Sequence, residues 1–479
     1  MSAGHFIKFS GLLVTTWFIN GCGRGTVPES QIGVLANQVP AQWAGSRSGR
    51  TGVDEGWVER FGDRQLSQVV AEAVRSNPSM QSARERVNRA VLLAKGAQAP
   101  ALPEASAGLS GSRNKQVFVG LPIPGTSGPL NSFSTTLGAS LDVSWEPDIW
   151  GRVAKSQSAE LARAGAEENI FRAARASLAG QVVKAWLALG EANEQLALAQ
   201  EGLAIRQEVE VAIRERFSSS IGDEGGTASQ LRLARTDIAN AKGTIVQWRA
   251  EVARAQRQLE LLVGRYPTGK AGEGISLPSL PAKPPTGLPS ELLQRRPDII
   301  AAERHFAAAI QDVKVAELAR FPSFTLTNSV GRTSSQLGDL LDSDFGVWSL
   351  GGNLVAPILS GGRLKVSIES ANSREREALA DLQRQVLDAF GEVEQALIAD
   401  YHYDLQVAAA KEALSEAKEA ADSSSRDYTD GMDSALTVLQ AKSQQIQVAT
   451  QVVTLRRQRL QNRVDLHLAL GGDFRVRTK

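Results

Sequence analysis

"SNPSMQSARERVNRAVLLAKGAQAPALPEASAG", residues 76–108, has a counterpart in "RRPDIIAAERHFAAAIQDVKVAELARFPSFTLT", residues 295–327. Pro78 and Pro297 stand 219 residues apart, as do Pro103 and Pro322. Further along, "WEPDIWGRVAKSQSA" (145–159) pairs with "VAPILSGGRLKVSIES" (355–370), Gly151-Arg152 matching Gly362-Arg363 at an offset of 211. Phe217 and Tyr428 keep that offset of 211. The drop of eight falls between strand candidates, where "NKQVFVGLPIPGTSGPLN" (114–131) reads as a long Gly/Pro loop of the first copy only. Loops absorb such insertions. A repeat this long is a duplicated domain rather than a solenoid of short units.

Each copy reads in the same order: helix, two strands, long helix, break, helix. Leu178, Val182, Ala185, Leu189, Ala192, Leu196, Ala199 and Leu203 alternate fours and threes, the spacing of a heptad seam. Leu379, Leu382, Val386, Ala389, Val393, Leu397 and Tyr401 do much the same in the second copy. Gly151 to Phe217 would span on the order of 100 Å as helix. Flanking helices are expected near 62–100 and 227–263, running alongside it as antiparallel coiled-coil pairs.

In "FSTTLGASLDVSW" (133–145), Phe133, Leu137, Ala139, Leu141, Val143 and Trp145 share one parity, with Thr135 its one polar member. Ser134, Thr136, Gly138, Ser140, Asp142 and Ser144 share the other. A period of two with aromatics at both ends suits a membrane barrel strand with a polar lumen, as well as a half-buried soluble strand. "FPSFTLTNSVG" (321–331) and "FGVWSLGGNLVAP" (345–357) alternate less cleanly, and "PEASAGLSGS" (103–112) least. Four strands cannot close a barrel, since about eight is the smallest in use, and open edges are not tolerated in lipid. Strands that span a membrane here would require an oligomer.

Composition sets outer bounds. The chain of 479 residues carries 53 basic and 52 acidic side chains, a formal charge of +1, which gives no electrostatic case for nucleic acid. Apolar residues make up 42% and charged ones 22%, the balance of an ordered chain. No apolar run reaches the length of a transmembrane helix.

The only cysteine, Cys22, ends a short apolar run, Phe9–Ile19, preceded by Lys8. A lone cysteine is usually a small packed hydrophobe, and it cannot form an internal disulfide. Here the run has the length of a signal-peptide core and is too short to span a bilayer. Ile19-Asn20-Gly21-Cys22 resembles a bacterial lipobox, so cleavage before Cys22 and lipidation of that residue are expected. Gly23 in the next place favours the outer membrane over retention in the inner one.

Residues 55–473 resemble the TolC-like outer-membrane efflux factors, in particular their lipoprotein branch. The stretches "WVERFGDRQLSQVVAEAVRSNP", "LDVSWEPDIWGR", "GLPSELLQRRPDIIAAE" and "PILSGGRL" carry the resemblance, in family order on the duplicated frame. It implies an α+β membrane protein: a homotrimer whose four strands per chain build one shared 12-stranded barrel, above a periplasmic α-barrel of coiled-coil helices. It also implies a periplasmic adaptor (membrane fusion) protein and an inner-membrane RND-type transporter as partners, with outer-membrane lipid around the barrel. The expected division is a signal peptide at 1–21, a lipid-anchored linker at 22–55 and a first repeat at 56–264. A Pro/Gly-rich linker at 265–288, a second repeat at 289–473 and a tail at 474–479 follow.

Two site regions follow from the resemblance. The helix–helix breaks, "RFSSSIGDEGGTASQL" and "RDYTDGMDSALTVLQAK", match the periplasmic tips that close the tunnel at rest and receive the adaptor. Gly222, Asp223, Glu224 and Gly226 mark the first, and Asp430, Gly431, Asp433, Leu436 and Gln440 the second. Relatives often have an acid where this chain has Gln440, a base near Ser443 and Asp where it has Arg232. The second region is the barrel-to-helix equator at Gly151, Arg152, Gly361, Gly362 and Arg363, read as structural because a strand must swing into a helix there.

No cofactor and no enzymatic activity are expected. His5, His305, His402 and His467 show no metal-ligand spacing, and the helical ones read as surface or core residues. No nucleophile elbow, phosphate loop or paired-carboxylate motif occurs. Three functions remain: the outer-membrane channel of a drug-efflux system, the same channel serving type I protein or peptide secretion, and a periplasmic adaptor lipoprotein. The duplicated frame with two strand pairs opposes the last.

Overall fold

The computed structural model describes residues 25–31, 33, 39–40, 42–45, 56–118, 130–219, 228–272 and 274–472. One order of elements occurs twice. The first pass is α1 (Arg64–Ser76), α2 (Pro78–Gly96), β1 (Glu104–Phe118), β2 (Leu130–Trp145), α3 (Arg152–Ser219) and α4 (Ala228–Val263). The second is α5 (Pro289–Arg295), α6 (Pro297–Leu318), β3 (Ser323–Ser334), β4 (Gly346–Val355), α7 (Arg363–Thr429) and α8 (Ala435–Ala469). At 68 and 67 residues, α3 and α7 are each about 100 Å of helix.

The leading helix of each pass is split, where one helix over 62–100 was expected. Proline excludes helical geometry from the residue before it, and Asn77 accordingly lies at φ −66°, ψ 127° ahead of Pro78. Arg296, ahead of Pro297, lies at φ −74°, ψ 118°. Both proline positions then open a helix, where a missing N–H costs nothing. Each junction residue is buried and pays for that with bonds. Asn77 Oδ1 accepts from the Ser79 N–H at 2.7 Å, and its Nδ2 donates to the Leu262 carbonyl at 2.8 Å. Arg296 is held by Asp298 and Glu392, each at 2.6 Å.

The sheet is antiparallel in the order β1-β2-β3-β4. The expected loop at 114–131 is shorter than its Gly/Pro content suggests, because β1 continues to Phe118 and β2 begins at Leu130. The segment with the poorest alternation forms the 15-residue β1, since Ala105, Ala107, Gly108 and Gly111 conceal its two faces. Register resolves them. Leu109 pairs with Ala139, Leu141 with Val330, and Val330 with Trp348, so one face is largely apolar, interrupted by polar residues that include Thr135, Asn328, Arg113, Lys115 and Arg332. The opposite face carries Ser110, Ser140, Thr327 and Ser329.

The chain forms two compact units, each drawing on both passes. Asn88–Gly165 and Arg304–Ala380 make up most of one, which contains the sheet. Within it, Arg163 of α3 bridges to Asp312 of α6. The other takes in Ala166–Glu303 and Asp381–Lys479 with Ile32–Val87. Its core gathers Trp57, Phe61, Leu66, Val182, Trp186, Leu189, Leu259 and Val464. Asp63 serves twice there: Oδ1 caps α1 through the Gln65 and Leu66 N–H groups, and Oδ2 accepts from Trp186 Nε1 at 3.0 Å. Of the α7 seam, Leu382, Val386, Ala389, Val393 and Leu397 are buried. Tyr401, expected to continue it, is 60% exposed, its ring edge-on to His402.

Glu260 is buried at the end of α4 and gathers the following turn. It accepts from the Thr268 hydroxyl and from the Gly269 and Lys270 N–H groups at 2.7–3.0 Å. Burial opposes its charge, but these donors outweigh burial and hold its pKa at about 2.

His467 is 1% exposed and stacks on Trp57 with ring centroids 5.5 Å apart. Burial, then the charges of Arg60 and Arg463, push its pKa from 6.5 down to about 3. The folded imidazole is therefore neutral where an unfolded one would take a proton. Stability from this group is complete above pH 6.5 and is lost as pH falls toward about 3. His467→Phe, which keeps the stack, should lower the loss of melting temperature between pH 6.5 and 4 relative to the parent. Thermal unfolding monitored across that range checks it.

Candidate functional site

The second hairpin turn follows directly from its residues. α7 ends at Thr429, and Gly431 takes φ 77°, a left-handed conformation that closes the helix. Its N–H donates to the Tyr428 carbonyl at 3.2 Å, and the Met432 N–H to Asp427 at 2.8 Å. Ser434 then caps α8, its hydroxyl accepting from the Thr437 N–H at 3.2 Å. Asp433 is half-buried and turned onto its own hairpin. Its carboxylate accepts from the Ser434 N–H at 2.7 Å and the Ser424 hydroxyl at 3.1 Å. The Thr437 hydroxyl first, then the Ser434 N–H, hold its pKa below the usual carboxylate range.

Asp430, Gly431, Leu436 and Gln440 are exposed. Met432 at 73% and Leu436 at 53% present apolar side chains to solvent at the turn. Behind them, Ala435 and Leu439 pack with Val209 of α3, against partly buried Ile205, Ile213 and Tyr428. The turn is thus anchored from behind and bare in front.

Of the first turn, Gly222, Asp223, Glu224 and Gly226 lie outside the described residues, as does Cys22. Its base is described. Glu210 of α3 has a side chain only 5% exposed and pairs with Arg214 on its own helix and with Arg235 of α4 at 3.2 Å. The Arg214 hydrogen bond is the main cause holding its carboxyl below the usual range. Sequence reasoning passed over this clamp. Its one local signal is the spacing of Glu210 and Arg214, while Arg235 lies 25 residues on, across the turn. Arg232, by contrast, is exposed.

At the strand–helix belt, Gly151 at φ 78° lets the chain leave β2 and enter α3. Asp148 caps that helix, accepting from the Val153 N–H at 3.0 Å and the Ala154 N–H at 2.8 Å. Arg152 bridges back to Glu146 at 3.0 Å. Trp150 stacks on Phe321 at 5.1 Å and donates from Nε1 to the Pro322 carbonyl at 2.7 Å. In the second pass Gly361 and Gly362, at φ 58° and 83°, precede Arg363, and all three are exposed. Among the described residues no group of His, Cys, Asp or Glu is placed to hold a metal ion, and no helix is long and apolar enough to cross a membrane.

Long helical hairpins, a two-faced sheet with free edges and glycine swivels between them define an outer-membrane efflux channel subunit. Residues 69–265 and 288–472 match the family described as outer membrane efflux protein, to which this chain belongs. It is 30% identical to the pyoverdine export outer membrane protein OpmQ of Pseudomonas putida, over 91% of this chain and 92% of that one. It is 28% identical to the cation efflux system protein CusC of Escherichia coli, over 92% and 94% respectively. In structure it is similar to the open state of the MtrE outer membrane channel of Neisseria gonorrhoeae. The TM-score is 0.79 at 26% identity, over 94% of this chain and 98% of that one.

Removing the buried carboxylate in Glu210→Ala should loosen the first tip. Amides in 205–219 and 228–240 should exchange roughly tenfold faster, the scale of one lost charge-assisted bond, with β2 and β3 unchanged. Hydrogen–deuterium exchange with mass spectrometry measures it.

Proposed function

We propose that the protein works as a homotrimeric channel, passing small molecules from an inner-membrane RND-type transporter and a periplasmic adaptor to the outside. The observation that carries this reading is the sheet. Four antiparallel strands with one apolar and one polar face leave two open edges, which lipid does not tolerate. Three copies supply 12 strands, enough to close around a polar lumen. The tips would meet the adaptor, with Met432 and Leu436 as the apolar contacts. Export of pyoverdine and of cations by relatives supports small cargo over the protein or peptide cargo of type I secretion.

The proposed layout has a signal peptide at 1–21, an anchored linker at 22–55 and repeats at 56–264 and 289–473 joined by 265–288. Gly151, Arg152, Gly361, Gly362 and Arg363 serve as structural swivels at the equator.

Detergent-extracted protein should run as a trimer and conduct ions in planar bilayers. A stable monomer would overturn the channel reading. In the resting trimer Asp223, Glu224 and Asp430 would gather nine carboxylates at the narrow end, while Asp433 is turned onto its own hairpin. Like charge in a protein-walled constriction is focused, and salt screens it over about 10 Å at 0.1 M. The channel should therefore be cation-selective, and the Asn/Gln variant at Asp223, Glu224 and Asp430 should shift the reversal potential toward zero in a potassium chloride gradient. An unchanged potential would mean that these side chains point away from the pore.

The lipid anchor is tested separately. The mature protein should incorporate labelled palmitate and Cys22→Ser should not. A closed barrel inserts without an acyl chain, so the variant should still reach the outer membrane.

A further inference from the structure

Three cations sit on the apolar face of the sheet. Register places Arg113 opposite Thr135 and Lys115 opposite Phe133, and Arg332 opposite Ala139. All three share the parity of Leu109, Leu137, Leu141 and Val330, the face turned to lipid in the barrel. In register Arg332 is level with Leu109, four residues short of Arg113, but counted from the helix-adjoining ends of their strands the two stand alike. Arg113 lies eight residues past Ala105, and Arg332 eight past Phe324, at the strand ends that adjoin helices. Eight residues are about 27 Å of strand, or roughly 20 Å of vertical rise at a tilt of about 40°. Lys115 is about 5 Å higher by the same measure. The lipid-facing band of such barrels is about 25 Å tall, so the three mark its far edge, at the outer headgroups.

Two observations indicate that an anion belongs there. Arg113 and Lys115 converge on one ring, their cationic groups 5.8 and 5.6 Å from the centroid of Phe133, which is 61% exposed. Among the described strand residues of that parity there is no Asp or Glu. Glu104 and Asp142 belong to the lumen face, where Asp142 accepts from Ser140 and Ser329. Asp339, Asp342 and Asp344 lie in the connection after β3. Asp339 accepts from the Ser334 hydroxyl, and Asp342 from the Asp344 N–H at 3.1 Å. Arg332 donates one nitrogen to the Leu340 carbonyl at 3.1 Å, which leaves the remainder of its guanidinium.

We propose that Arg113, Lys115 and Arg332 form a binding site for the phosphate groups of outer-leaflet lipid, resting on the barrel reading above. Phosphate accepts several charge-assisted bonds at once, from guanidinium bidentately and from ammonium as a point charge. The Phe133 face holds the two cations against the barrel wall, so less freedom is lost when lipid binds. Arg332 is two strand spacings across and four residues along from Arg113, about 17 Å in all, within reach of a second phosphate of the same lipid layer.

The test titrates the detergent-extracted trimer with diphosphorylated lipid A, with the same lipid dephosphorylated, and with inorganic phosphate, counting bound lipid by native mass spectrometry. The parent should bind the phosphorylated lipid and not the dephosphorylated one. With Arg113, Lys115 and Arg332 all changed to Gln, binding should weaken about fivefold per cation, on the order of 100-fold together. Arg113→Lys alone should retain most of it. Equal binding by parent and triple variant overturns the site. Displacement of lipid by millimolar inorganic phosphate overturns the lipid as its occupant. A trimer lost only in the triple variant, without lipid present, gives the cations a protein partner and also overturns it. Failure of the parent itself to form a trimer would count against the barrel reading instead.

Discussion

An unpaired backbone amide in hydrocarbon costs several kcal/mol, and the sheet of this protein has two rows of them. β1 and β4 are each bonded on one side only. That constraint reaches well beyond the sheet. Copies that close a barrel must also lie side by side along their helices, and α7 exposes Leu387, Ile398, Tyr401 and Leu405. Tyr401 departs from the intramolecular seam, and α7 carries apolar side chains on more than one face.

The junctions between sheet and helices are the other place where backbone demands dominate. A strand whose side chains alternate must hand over to a helix whose side chains spiral. Gly151 and Gly362 make that change in left-handed geometry, at φ 78° and 83°. The two passes differ in what supports the turn. The first has the Asp148 cap and the Trp150–Phe321 stack, while the second leaves Ile358 and Leu359 more than nine-tenths exposed. Duplication kept the glycine and let the reinforcement diverge.

What could be read from sequence depended on the range of the interaction. The heptad steps of α3 and the parity of β2 repeat every few residues, and both were legible. β1 was the weakest reading because Ala and Gly give alternation no contrast; its pairing with β2 defines it. The split at Asn77 was within reach, since Pro78 restricts it directly. The Glu210–Arg235 contact and the buried Arg296 with Glu392 join residues far apart in the chain, and periodicity does not register such pairs. The break between α7 and α8 was legible from Gly431, although Leu436 and Gln440 already belong to α8, and the contact of Asp433 with Ser424 needed coordinates.

The three kinds of element also set different rules for how the gene can change length. Within β2, losing one codon would swap Phe133, Leu137 and Leu141 into the lumen and bring Ser134 and Ser140 to the lipid, whereas losing two preserves the pattern. Along the α3 seam the equivalent unit is seven. Only connections such as the one between β1 and β2 accept arbitrary increments. Indels in descendants of this sequence should thus come as multiples of two in strands and of seven in coiled coils, a quantised spectrum from which each segment's geometry could be read by genome comparison alone.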